Sequence, residues 1–324
     1  MKRYGNLYNN ICKLNNIEDA FLEVCRNTKN KRRVANFRAY KGTYIYRVYE
    51  ILKNKSYKPG PVNIFTIYEP KERRIVSQNM LDKIINHLVA RFIIYPAILP
   101  CLLDINVASR KKLGTSAGLK YEYKFQKACN TKYNTYYVLK CDISKFFSSI
   151  NHDILKSKII RRIKDKDALK IIFDIIDSEE NGLSIGAMTS QILAIFYLND
   201  MDHFIKEQLK IKYYVRYQDD FLLFHKDKRY LKYCLEELKK FLAKEKLKLN
   251  AKTRIYKNTN NFIFLGHNQK GQYTRYRNVK RKLKNRYYLY KNDFISLNSL
   301  CSSSICYKGL CKKNIKFIKK QNYI

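Results

Sequence analysis

The spacing of apolar positions changes several times along this chain, and each change marks an element. Residues 136–143, YYVLKCDI, are apolar at nearly every position, which predicts a buried strand. Residues 213–225 read as strand, turn and strand: YYVRY, then QDD, then FLLFH. Behind them Leu231, Cys234, Leu235, Leu238, Phe241 and Leu242 share one face at helical spacing. Leu247–Leu249 predicts a short strand after that helix. Upstream, Val62–Tyr68 and Arg73–Val76 predict a hairpin about the turn Glu69-Pro70-Lys71-Glu72. Helical pattern then runs from Met80 to about Ile94. Asn151 is a candidate N-cap, with Ile154, Ile159 and Ile160 as apolar positions of the helix it opens. The first 60 residues read as helical and basic, and the charge run Asn30–Arg33 within them reads as a solvated face. From Tyr273 the tail is strongly basic and mostly helical, with Tyr and Phe interleaved. This order predicts an α+β fold, a sheet with helices grouped on one side.

Composition adds size and partner. Hydrophobic residues make up 46% of 324, enough for a true core in two domains or one large lobed domain. Lys and Arg number 66 against 27 Asp and Glu, a net charge of +39. A field of that sign attracts a polyanion, either nucleic acid or an anionic membrane face. A low-GC genome also enriches Lys, Asn, Ile and Tyr, but charge together with 28 Tyr favours nucleic acid. The start, MKRYGNLYNNICKL, lacks the apolar core of a secretion signal. The longest apolar run, Phe92–Leu103, has 12 residues and two prolines, short of the ~20 that span a bilayer. It reads as a buried segment, so no membrane partner is expected. The nine Cys form no CxxC pair, and the five-residue spacing of Cys301, Cys306 and Cys311 fits no zinc ribbon. Reduced thiols and a cytoplasmic location are expected.

The candidate chemistry lies in three carboxylates. Asp219 and Asp220 sit in a tight turn, where Asp is common for reasons of turn geometry alone. Their flanks, YVRY and FLLF, are largely apolar, so this turn springs from buried strands. Asp142 closes the apolar strand YVLKCD, where a charge is costly unless it is salt-bridged or binds metal. Asp142 and Asp219 together could hold two Mg²⁺ ions, with Mn²⁺ as a substitute, in an all-oxygen site. Two such metals about 4 Å apart activate a primer 3′-hydroxyl and stabilise leaving pyrophosphate.

These blocks resemble the reverse transcriptases. CDISKFFSSI (141–150) resembles motif A of that family, and GLSIGAMTSQILAIFYLNDMD (182–202) resembles motif B. YQDD resembles motif C, LKLNAKT (247–253) motif D and NFIFLGH (261–267) motif E. They stand in the family order. The resemblance implies a right-hand polymerase with fingers, an antiparallel palm sheet backed by helices, and a short helical thumb. The expected divisions are 1–135 for N-terminal helices and fingers with part of the palm, 136–267 for the palm, and 268–324 for the thumb. Motif B ends in Ser190-Gln191, where most retroviral and group II intron enzymes carry a Pro-containing ending. That ending is similar to the enzymes of diversity-generating retroelements. NLYNNICKLNNIEDAF, IYEPKERRIVSQNMLDKIINHL and ASRKKLGTSAG resemble further segments of that group. The chain departs from it at Ser116, where the group usually has His, and in LCSSSICYKGLC. Abortive-infection and defence reverse transcriptases share much of the same core.

The resemblance also implies roles. Asp142, Asp219 and the backbone of Ile143 hold metal, and Asp220 is a more peripheral catalytic carboxylate. Lys71, Arg73 and Arg74 meet the incoming triphosphate; if the strand is regular the two arginines face opposite ways, and counting does not say which faces the nucleotide. Phe147 matches the steric gate against a ribose 2′-OH, or packs in the core beside Phe146. Ile185, Gly186 and Gln191 border the incoming nucleotide and nascent pair, with Ile185 near the fidelity position opposite template adenine. Ser190 contacts nucleic acid. The same stretch also reads as a helix cap. Lys252 takes the place of the motif D lysine that protonates pyrophosphate, or faces solvent. Gly266 and His267 belong to the primer grip, and Lys280, Arg281 and Lys284 to a phosphate-binding thumb. The implied activity is RNA-directed DNA synthesis that copies a retroelement template RNA into mutagenised cDNA. Its implied partners are template RNA, the cDNA or RNA–DNA hybrid, dNTPs and a basic oligomeric accessory variability protein. An antiphage enzyme, with a dedicated non-coding RNA or no template, and a non-catalytic RNA-binding protein remain as alternatives. The residues after His267 leave room for a thumb, with no RNase H or endonuclease domain expected.

Overall fold

Apolar positions three and four apart build the helical start of the chain. α1 (Leu14–Asn27) buries Ile17, Phe21 and Val24. The charge run opens α2 (Lys31–Ala39): Asn30 Oδ1 accepts the Arg33 N–H at 2.9 Å, a helix cap. α3 (Lys41–Lys53) buries Val48 and Leu52. The structure is a computed structural model and describes residues 3–28, 30–67, 73–268 and 276–302. β1 (Asn63–Ile67) pairs antiparallel with β2 (Arg73–Ser77), from Asn63↔Ser77 to Ile67↔Arg73. The turn between them, Lys71 included, lies outside the described residues.

α4 (Met80–Val89) passes through a π turn over Ala90–Ile94 into α5 (Tyr95–Ile98). The helical path is therefore longer than the expected end at Ile94. Pro96 lies inside this continuous path, directly after the π turn, and has no N–H to give to it. By length and composition the rod Met80–Cys101 could cross a membrane. Here Ile84, Leu88, Ile93, Ile94 and Ala97 are fully buried in the protein core.

After α6 (Thr115–Lys132) comes β3 (Tyr137–Asp142), then α7 (Phe146–Ser149), α8 (His152–Ile160) and α9 (Lys166–Ile176). Asn151 caps α8 by accepting the Ile154 N–H at 3.1 Å. Ile159 is buried, but Ile160 is 43% exposed, because the next residue of a helix turns about 100° away. α10 (Met188–Tyr197) and α11 (Asn199–His203) precede β4 (Tyr213–Tyr217), β5 (Asp220–His225), α12 (Lys228–Lys244) and β6 (Arg254–Lys257). The central sheet is antiparallel with strand order β4-β5-β3-β6. The strand expected at Leu247–Leu249 is not formed. Leu249 makes only an isolated bridge to Ile143, and Arg254–Lys257 supplies the edge strand instead. Leu247 looks strand-like because it is buried, whereas Arg-Ile-Tyr-Lys is too short and polar to announce a strand.

The sheet is covered on both faces. Leu139, Cys141, Phe221 and Leu223 join the large core that also holds α1, α4, α10 and α12. Val138, Val215, Leu222 and Phe224 pack instead on Phe125 and Cys129 of α6 and on Phe262 and Phe264. Most helices do lie on one side, but α6 closes the other, and this is why the strands are apolar at nearly every position. β7 (Ile263–Phe264) and β8 (His267–Asn268) form a small hairpin, and α13 (Tyr276–Lys291) is the basic helix of the tail.

Candidate active site

β3 and β5 run side by side with Asp142 opposite Asp220, and Tyr217 pairs with Asp220 across the β4–β5 turn. Gln218 and Asp219 therefore form a two-residue loop at the sheet end. Gln218 has φ of 56°, a left-handed conformation usually given to Gly or Asn in such a loop. That strain, roughly 1–3 kcal/mol, must be held by its surroundings. Arg216 Nη1 donates to Gln218 O at 2.9 Å, and Gln218 Nε2 donates to Ser109 Oγ at 2.8 Å. Arg216 itself is completely buried. Its Nε and Nη2 donate to the two oxygens of buried Asp202 at 2.7 and 2.5 Å, and Nη2 also reaches Ile195 O at 3.0 Å. Tyr214 Oη donates to Asp202 Oδ1 at 2.6 Å. The loop that presents Asp219 is thus bolted to α10 and α11.

Asp142, Ile143 and Asp219 line a cavity of about 600 Å³ together with Arg73, Arg74, Phe147, Ile185 and Asn250. Asn250 grips Asp142 twice: its Nδ2 donates to Asp142 Oδ2 at 3.0 Å and its N–H to Asp142 O at 2.7 Å. Burial pushes the Asp219 carboxyl above its ordinary range, the charge of Asp142 adds to the rise, and its own amide, Arg216 and Arg73 oppose it. Among the described residues neither Asp142 nor Asp219 is in an ion pair. No group of three or more His, Cys, Asp or Glu gathers as a ready-made metal cage among them either. Two carboxylates beside a main-chain segment, without His or Cys in the cavity lining, suit a hard divalent cation that keeps water and phosphate oxygens as its other ligands.

Asp220 faces elsewhere. Lys140 Nζ donates to its Oδ1 at 3.0 Å, and Asp220 is not among the residues lining the cavity. Burial pushes it up to about 6, against the pull of Lys140. Behind this pair lies Glu122 of α6, only 4% exposed and pushed up to about 8 by burial, with Asp220 adding and Lys140 opposing.

From β2 both arginines reach the cavity, but they differ. Arg74 Nη1 lies 3.5 Å from Glu179, while Arg73 has no ion pair among the described residues. The two phenylalanines divide their alternatives. Phe146 is buried, and Phe147 sits edge-on to it at 5.8 Å, half-buried. Gly182, with φ of 69°, holds Phe147 in place: a Cβ there would come 2.2 Å from Phe147 O, which accepts the Leu183 N–H at 2.8 Å. Gly186, with φ of 129°, lets the same loop approach β2, where a Cβ would lie 3.3 Å from Val76 O.

Other expected site residues fall outside the cavity lining. Ser190 is 3% exposed and its Oγ lies 3.2 Å from Ser184 Oγ, so it braces the loop from within. Gln191 is exposed and accepts from Ser109 Oγ at 3.5 Å, so Ser109 links it to Gln218. Lys252 is exposed, and Asn250, two residues earlier, takes the position beside Asp142. Gly266 turns the β7–β8 hairpin with φ of 81°, and His267 Nδ1 lies 3.1 Å from Leu265 O. Arg281 and Lys284 are exposed on α13, and the side chain of Lys280 lies outside the described residues. The sequence reading missed Asn250, Arg216, Asp202, Ser109, Lys140 and Glu122. Arg216 and Lys140 carried a usable signal, a charge inside an apolar strand.

A family model described as reverse transcriptase (RNA-dependent DNA polymerase) matches residues 55–269. No curated protein matches the chain. Among solved structures, apo telomerase from Candida tropicalis truncated from its C-terminal domain is 16% identical, with a TM-score of 0.50 over 64% of this chain and 52% of that one. Telomerase from Candida albicans in complex with the TWJ fragment of telomeric RNA is 14% identical, with a TM-score of 0.50 over 70% of this chain and 47% of that one. The chain thus spans about half the length of each, and at these identities the likeness is one of fold, that of a right-hand polymerase.

Proposed function

The chain belongs to the reverse transcriptase (RNA-dependent DNA polymerase) family, and from that premise we propose that it extends a primer on an RNA template by two-metal phosphoryl transfer. One observation carries the reading: Asp142 and Asp219, neither of them in an ion pair among the described residues, share a cavity with Arg73 and Phe147. Asp142, Asp219 and the Ile143 backbone are the groups that would hold Mg²⁺ or Mn²⁺, which when bound would activate the 3′-hydroxyl and neutralise the departing pyrophosphate. The rest is work for the chain. Arg73 offers a planar guanidinium to the triphosphate, with Arg74 held beside it by Glu179. Phe147 packs under the sugar and excludes a 2′-hydroxyl, which selects dNTPs. Asn250 fixes the orientation of Asp142, and Lys140 keeps Asp220 turned from the cavity. Lys252 is assigned no step.

Within the family we assign the chain to the diversity-generating retroelement group, copying a retroelement RNA into mutagenised cDNA with a basic oligomeric accessory protein. The Ser190-Gln191 ending and the segments around 67–88 and 108–118 support this reading. A template and variable repeat pair beside the gene is the expected finding; its absence would favour the antiphage reading. For the chemistry, the purified protein should incorporate dNTPs on a primed RNA with Mg²⁺ or Mn²⁺. Asp219→Asn should lower that rate by about a thousandfold or more, while RNA binding persists. No incorporation by the parent protein on varied primed templates would sink the polymerase reading.

A further inference from the structure

The strand pair that ends in Asp142 and Asp220 begins, at its other end, in Tyr137 and His225. The length of β3 puts roughly 17 Å between those ends. Where one end of the sheet gathers carboxylates, the other gathers cations. Lys257, Tyr137 and His225 stand in register across β6, β3 and β5. α12 starts just beyond them, with Lys228 and Arg229 in its first turn. Lys226, Lys228, Arg229 and Lys232 line a cavity of about 590 Å³ with Tyr137 and Asp227. All four cations are exposed. Among the described residues none of the four is in an ion pair; those on α12, Lys239–Glu236 and Lys240–Glu237, lie further along the helix. Asp227, whose Oδ1 caps the helix by accepting the Arg229 N–H at 2.7 Å, offsets only one of these four charges, so the lining stays strongly cationic. Lys228 Nζ stands 5.9 Å from the centre of the Tyr137 ring.

We propose that this end of the sheet is a second docking site for the phosphate backbone of RNA, outside the catalytic cavity. The proposal rests on the reading of the chain as an RNA-handling enzyme, but not on its chemistry. Ammonium and guanidinium groups around a hollow suit phosphate oxygens. Tyr137 offers a ring for a sugar or an unstacked base. The lining holds no aliphatic side chain to insert into a bilayer, which favours RNA over an anionic membrane. Because the same strands carry both ends, RNA docked here is held at a set distance from Asp142 and Asp219.

The test is equilibrium binding of a labelled RNA hairpin with a single-stranded tail to the full chain, over a range of salt. The double variant Lys228→Glu with Arg229→Glu should fold, since acids in the first turn suit the helix dipole; a thermal melt checks this. Its Kd should rise about tenfold or more at low salt, and the log–log salt slope should flatten by about 2. Incorporation on a short primed duplex should not change. Lys166→Glu with Lys170→Glu on α9 makes the same charge change elsewhere and should have little effect. Unchanged Kd and slope would overturn the proposal. So would an equal loss from the α9 variant, or an equal loss on the short duplex. A loss confined to polyglutamate or anionic vesicles would reassign the site and overturn it too. The polymerase reading fails separately: if the parent incorporates nothing yet the variant loses RNA, the docking site stands alone.

Discussion

At the scale of single residues, the cavity is shaped as much by side chains behind it as by those facing it. Lys140 stands by two acids, Asp220 and Glu122, and its hold on Asp220 leaves Asp142 and Asp219 as the carboxylates of this sheet end that line the cavity. Glu122 has a measurable signature. Burial raises its carboxyl from 4.5 to about 8, so the folded chain takes up a proton that the unfolded chain lacks between those values. Stability from this group is therefore lost as pH climbs from about 4.5 to 8. Glu122→Gln should barely change the melting temperature near pH 4.5. It should then stabilise increasingly, on the order of 3 kcal/mol near neutrality, and level off above pH 8. Melts of both proteins across that range check it; a gain independent of pH would show that Glu122 is not the protonated group.

At the scale of elements, the β4–β5 hairpin keeps an unfavourable Gln218 because Arg216 ties its loop to α10 and α11, the two helices that precede it. Arg216→Lys keeps the charge but loses the fork that serves Asp202, Ile195 and Gln218 together. It should cost about 2–4 kcal/mol in urea unfolding. In folded enzyme it should lower kcat more than it raises KM for dNTP, because the loop loses its anchor while Arg73 and Phe147 stay in place. Wild-type kcat in a destabilised variant would show that the anchor serves folding alone. The hairpin itself was legible in the sequence, since YYVRY and FLLFH bracket a turn. The edge strand β6 was not: its place beside β3 is decided by pairing to Tyr137–Lys140, which no local pattern in Arg-Ile-Tyr-Lys encodes.

At the scale of the whole molecule, the charge of +39 is spread over a fold whose central sheet has an acidic end and a basic end. Such an excess repels itself in the compact state. Adding NaCl from low to physiological ionic strength should raise the melting temperature by screening that repulsion. A melting temperature that stays flat over this range would mean the cations are already compensated within the fold.

By itself the sequence determined the local features: the buried strands, the amphipathic α12, the helix cap at Asn151, the Asp pair in a turn, and the family that its ordered motifs resemble. These follow from spacing and side-chain type along a short stretch. Only the tertiary structure decided which groups share a space. It brought Asn250 to Asp142, turned Asp220 to Lys140, drew Arg73 and Phe147 toward Asp219, buried Ser190, and set four cations at the far end of the sheet that the carboxylates close. The physical reason is that side-chain direction at a sheet end depends on register and turn geometry between distant strands. A chain read residue by residue contains the partners but not their distances.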